Sequence, residues 1–131
     1  MSMELNEYQE KAMSTCLPSC NNFAYMSLGL VSEVGELTGK VAKAVRKEEI
    51  MLEQNDIFYN GSHPANDAGA ELHKGLIGEL GDVLWFVSGI CNVLGLPLED
   101  VADANLAKLA ERKKNGTIIG NGDGVTKEER Q

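Results

Sequence analysis

Four acidic residues, Glu33, Glu36, Glu79 and Asp82, fall in two short phrases of one pattern. Ser32 to Leu37 reads S-E-V-G-E-L and Gly78 to Val83 reads G-E-L-G-D-V, aligning without a gap as small, Glu, apolar, Gly, acid, apolar. At about 3.6 residues per turn, acids three apart share one helix face. Asp82 has no lysine one turn away and runs directly into Val83, Leu84, Trp85 and Phe86. A carboxylate buried in such surroundings must be protonated, paired or bound to a cation. Two such helices packed antiparallel would gather the four acids around one pocket, and hard oxygen donors at that density suit Mg²⁺ or Mn²⁺. Glu36 and Lys40, spaced i,i+4, would equally make an ordinary surface pair; the doubling of the phrase favours the metal. Gly35 and Gly81 share a slot in the two phrases, although Gly costs a helix roughly 1 kcal/mol relative to Ala. Close approach of another helix or a ligand is expected there.

A second group lies near the C-terminus, where Asn105, Lys108 and Arg112 form N-x-x-K-x-x-x-R on an apolar stripe of Leu98, Val101 and Leu109. An inward amide beside two cations suits a polyphosphate, with Arg giving a planar fork and Lys a mobile point charge. The plainer alternatives are a polar register residue for Asn105 and a solvated face shared with Glu111 for the cations. Cys16 and Cys20 stand four apart but are separated by Pro18, and with Cys91 they read as inert thiols of a reducing compartment. His63 and His73 lie outside the acid phrases, and neither follows a Glu by three residues, which argues against a di-iron bundle.

The elements that must position these residues read as an all-α, four-helix bundle in one domain spanning residues 1–131. The helices are expected at Glu4 to Cys16 (Asn6 as N-cap), Phe23 to Lys47, Gly69 to Leu94, and Leu98 to Lys114. Gly95 and Asn115-Gly116 supply the stops, and Pro97 opens the last helix. Ile50 to Leu52 extend the second helix or begin a short one, residues 55–67 read as a mobile loop, and residues 115–131 as a Gly-rich tail. No β-alternation of useful length is legible.

A net charge of -8 disfavours a nucleic-acid polymer as partner. The uncharged apolar run from Val83 to Leu98 falls short of the ~20 residues that span a bilayer, and no segment resembles a signal peptide, so a soluble cytoplasmic protein with no membrane contact is expected. The third helix is apolar on nearly every face, more than three neighbours cover, which predicts a homodimer or homotetramer.

L-G-L-V-S-E-V-G-E-L, G-E-L-G-D-V-L-W and N-L-A-K-L-A-E-R-K together resemble the MazG-like nucleoside triphosphate pyrophosphohydrolases of the all-α NTP pyrophosphatase superfamily. The similarity runs from Leu5-Asn6-Glu7-Tyr8-Gln9 to about Gly124. The resemblance implies Mg²⁺-dependent hydrolysis of a (deoxy)nucleoside triphosphate to monophosphate and pyrophosphate, with nucleotide-pool sanitation as a role. Glu33, Glu36, Glu79 and Asp82 would hold the metal, Glu33 or Glu36 would be the general base, and Asn105, Lys108 and Arg112 would contact phosphates or sugar. Many members open the first motif with two adjacent acids, whereas Ser32 stands first here, leaving the number of metals open. A dedicated dUTP or phosphoribosyl-ATP enzyme of the same superfamily and a non-catalytic helical module are the alternatives.

Overall fold

Two long helices packed antiparallel carry both acid phrases. The computed structural model describes residues 2–59 and 67–118, in which α1 is Leu5–Met13, α2 Phe23–Arg46, α3 Asp67–Val93 and α4 Leu98–Lys114. A single 3₁₀ turn, Pro18–Cys20, lies between α1 and α2. Small residues set the α2–α3 contact. A Cβ on Gly29 would lie 2.0 Å from the Phe86 ring, and one on Gly89 would lie 2.2 Å from the Met26 sulfur. Further along, Lys40 lies against Gly75, and Ala44 packs with Leu72. Numbers rise on α2 as they fall on α3, so Glu33 and Glu36 run alongside Asp82 and Glu79. The glycines of the acid phrases behave otherwise than expected: a Cβ on Gly35 or Gly81 would meet nothing within 4 Å. Among the described residues no neighbouring helix requires them, and close packing is served by Gly29, Gly75 and Gly89 instead.

Helix ends follow local chemistry. Asn22 caps α2 by accepting from the Tyr25 amide at 2.8 Å. Gly95 and Gly116, both with positive φ, terminate α3 and α4, with Leu96 N–H donating to the Cys91 carbonyl and Thr117 N–H to that of Arg112. Asn6 is not the N-cap of α1; Glu4 holds that place without a side-chain bond. Asn6 instead serves α4: its Oδ1 accepts from Glu99 N–H at 3.0 Å, while Gln9 Oε1 accepts from Leu98 N–H at 2.8 Å. Two side chains of α1 thus satisfy the amide donors that α4 leaves open at its start. Trp85 is taken up similarly, its Nε1–H donating to the Ala12 carbonyl and Thr15 Oγ1 at 3.0 and 2.9 Å.

The expectation of a chain without strands is corrected at residues 50–59. β1 (Ile50–Glu53) and β2 (Asp56–Tyr59) pair antiparallel, joined by Gln54 and Asn55. Both turn residues have positive φ (50° and 67°), the backbone of a two-residue type I′ turn. Ile50 therefore neither extends α2 nor starts a helix. Glu48, also at positive φ, stops α2, with Glu49 N–H returning to the Ala44 carbonyl. β2 occupies the first part of the expected 55–67 loop; residues 60–66 lie outside the described residues, as do His63 and the tail beyond residue 118. The hairpin folds Ile50 onto Ala44 and Leu72, with Ile57, Tyr59, Val41 and Leu76 around them.

The third helix is not buried all round within one chain. Phe86, Ser88 and Cys91 are enclosed, whereas Ile77 is 70% exposed and Leu80 53%. Leu28 and Val31 on α2, and Leu106 and Leu109 on α4, are exposed as well. Gly69–Val93 is long and apolar enough to cross a bilayer by length and composition, but Glu79 and Asp82 sit in its span beside the acids of α2.

Candidate metal centre

Glu33 of α2 and Glu79 and Asp82 of α3 each place a carboxylate oxygen within 4.8 Å of the others. Antiparallel packing produces this, because i,i+3 acids on one helix are met by i,i+3 acids on the next. Lys40 Nζ lies 3.1 Å from Glu79 Oε1, so this lysine crosses to α3 rather than pairing with Glu36 on its own helix. The other oxygen of Glu79 and one oxygen of Glu33 are buried without a hydrogen-bond partner. Ionised carboxylates only accept hydrogen bonds, so two such acceptors side by side could hold a cation. The donor set, all hard oxygen, fits a divalent ion of the Mg²⁺ or Mn²⁺ kind.

Glu36 stands outside the trio, exposed, and lines an open cleft of about 440 Å³ with Glu79 and Lys40. Of the four expected ligands, three are thus brought together and the fourth borders them. Asn105 and Lys108 are exposed and Arg112 half-buried on α4. Among the described residues no hydrogen bond or ion pair joins these three to the acids, and α4 packs mainly against α1. Neither Cys16, Cys20 nor Cys91 is in a disulfide, and His73 bonds the Tyr59 hydroxyl at 2.6 Å, away from the acids.

Two tyrosines next to the acids were not singled out by sequence reasoning. Burial, and then the charge of Asp82, raise the Tyr8 phenol above its ordinary range. Tyr25 is raised chiefly by a hydrogen bond to Cys20, with Glu33 a smaller contributor, and its ring stacks obliquely on Phe86 at 5.8 Å. The available signal for Tyr25 was its position two turns before Glu33 on the same helix.

Desolvation, followed by the charges of Glu36, Asp82 and Glu79, raises the Glu33 carboxyl above its ordinary 4.5. In the folded protein Glu33 therefore holds its proton to higher pH than in the unfolded chain. Its contribution to stability is complete below about pH 4.5 and is lost as pH rises through the raised value. In chelator, the melting temperature of the parent should fall relative to Glu33→Gln as pH increases through this window. With Mg²⁺ the trend should reverse, because the cation binds the ionised trio. Thermal melts of both proteins with EDTA and with Mg²⁺ across that range check the sign.

The fold and site define a mostly helical protein with a cluster of carboxylates between two antiparallel helices. Residues 22–117 match the MazG nucleotide pyrophosphohydrolase domain. The chain belongs to that family, whose members hydrolyse nucleotides with divalent metals. The matched span holds the hairpin and α2 to α4 and begins after α1. The "Gene 37 protein" of Mycobacterium phage L5 is 33% identical over 128 residues, covering 92% of this chain and 98% of the relative. No solved structure matches the chain significantly.

Proposed function

We propose that the protein hydrolyses a (deoxy)nucleoside triphosphate to the monophosphate and pyrophosphate, using Mg²⁺, in a cytoplasmic nucleotide-sanitising role. The observation that carries the proposal is the Glu33–Glu79–Asp82 trio with its two buried, unpartnered oxygens. A bound divalent ion there would offset the charge of the triphosphate and lower the pKa of the attacking water. The water attacks the α-phosphorus, the bridging bond to the β-phosphate breaks, and pyrophosphate leaves with the electron pair. Glu36, at the rim and outside the trio, is placed to take the water's proton, with Glu33 the alternative base.

The exposed apolar side chains of α2, α3 and α4 support a homodimer or homotetramer. Leu106 and Leu109 share α4 with Asn105, Lys108 and Arg112. An assembly that covers them against a second copy's α2 and α3 would carry these polar groups toward that copy's phosphates or sugar. The test is Mg²⁺-dependent pyrophosphate release over a panel of ribo- and deoxynucleoside triphosphates that includes dUTP and phosphoribosyl-ATP. Turnover of several triphosphates supports a general enzyme, turnover of one alone a dedicated enzyme, and none a non-catalytic module.

A further inference from the structure

The acid face of α2 continues as a basic one. Glu33, Glu36, Lys40, Lys43 and Lys47 follow one another on α2 and its C-cap at intervals of three or four residues. At roughly 100° per residue they fall within about 80° of arc. This face borders two clefts. One, of about 440 Å³, contains Glu36, Glu79, Lys40 and Lys43. The other, of about 430 Å³, contains Lys40, Lys43 and Lys47. Lys40 and Lys43 line both, so a single path leads from the acids along three cations. Gly75 makes room for it: a Cβ there would lie 3.2 Å from Lys40 Cδ. The lysine stem thus lies against α3 and its ammonium reaches Glu79, one turn further on. Glu49 and Glu71 line the far cleft, which limits how far an anion extends along the path. In a chain of net charge -8, the far cleft sets Lys40, Lys43 and Lys47 against Glu49 and Glu71, a local excess of positive charge that suits a compact polyanion rather than a long polymer.

We infer that the Lys40–Lys43–Lys47 path receives the β- and γ-phosphates of the substrate and then the departing pyrophosphate. The inference rests on the pyrophosphohydrolase reading above, which places the α-phosphate at the acid trio. With the α-phosphate there, the remaining phosphates extend along α2, and the polar groups of α4 are left for the α-phosphate or sugar. Discrimination between tri- and monophosphates follows from the same geometry, since only a nucleotide with a β,γ-tail reaches Lys43 and Lys47.

The test uses the full chain, with Lys43→Ala, Lys47→Ala and the double variant; both side chains are exposed, so folding is unaffected. Calorimetric titration with inorganic pyrophosphate at fixed Mg²⁺, beside titration with a nucleoside monophosphate, gives a readout independent of turnover. The double variant should bind pyrophosphate roughly tenfold more weakly, an attenuated value for exposed charge pairs, and raise KM for the triphosphate to a similar degree. Its affinity for the monophosphate should stay at that of the parent. Pyrophosphate affinity and KM equal to the parent's would overturn the inference, as would equal losses for pyrophosphate and monophosphate, which mark a general field rather than a subsite. If the parent released no pyrophosphate from any triphosphate, the functional reading would fail on its own, and the pyrophosphate titration would still decide whether the path is an anion site.

Discussion

Asp82→Asn and Glu79→Gln should each abolish hydrolysis while leaving the protein folded. Both side chains belong to the trio whose oxygens approach within 4.8 Å, and an amide is a poor replacement for an anionic oxygen at a divalent ion. A metal supplies several kcal/mol of charge stabilisation, and each ~1.4 kcal/mol is tenfold in rate. A loss of roughly 10³-fold or more in kcat is therefore expected. The fold responds differently to the two changes. Asp82→Asn removes one of the charges that crowd Glu33, so its melting temperature in EDTA should equal or exceed the parent's. Glu79→Gln relieves the same crowding but gives up the pair with Lys40. Lys40 is 42% exposed, and such pairs contribute under about 1 kcal/mol, leaving the variant near the parent in stability. Neither variant should show the rise in melting temperature that Mg²⁺ gives the parent. Unfolding of either in EDTA would make these acids structural partners, and full activity would remove them from the site.

Lys108→Ala and Arg112→Ala should lower kcat/KM by roughly 10- to 100-fold each while Mg²⁺ binding remains intact. Charge-assisted contacts of this kind contribute roughly 1.5–3 kcal/mol, and neither cation is a metal ligand in the trio. A contact that strengthens as charge builds in the transition state appears in kcat; one that anchors only the ground state appears in KM. Arg112→Lys should recover little, because a point charge does not reproduce a planar fork. Within one chain these residues have no link to the acids among the described residues, so their effect depends on α4 being carried to a neighbouring copy. The loss should consequently be matched by Leu106→Asp combined with Leu109→Asp, which break the assembly that α4 is proposed to join. Activity of both cation variants within about twofold of the parent would make Lys108 and Arg112 solvated surface residues.

The parts of this protein legible from sequence are those that depend on local periodicity. The i,i+3 acids, the stops at Gly95 and Gly116 and the Pro97 that opens α4 are written within a turn or two of where they act, and α2 and α4 appear within a residue of their expected bounds. The paired phrases also imply that the acid faces of α2 and α3 meet, and antiparallel packing sets Glu33 beside Asp82. What escaped depends on partners distant in sequence or on backbone that side-chain pattern does not announce. The 50–59 hairpin turns on Gln54 and Asn55 at positive φ, without the Asn-Gly that makes such turns recognisable, and its strands are only four residues each. Asn6 has the chemistry of a cap but serves α4, 93 residues away. Lys40 has an acid at i−4 and yet crosses to Glu79, because Gly75 opens the way. Tyr8 reaches the site through the packing of α1 on α3, which nothing in its own segment specifies.

The most direct test of the central claim is the identity of the products formed by the parent protein with Mg²⁺ in ¹⁸O-labelled water. Attack at the α-phosphorus beside the Glu33–Glu79–Asp82 trio predicts monophosphate and pyrophosphate in equal amounts, the label in the monophosphate alone, and no reaction in EDTA. Release of orthophosphate with a nucleoside diphosphate, label in the pyrophosphate, or undiminished turnover in chelator would contradict it.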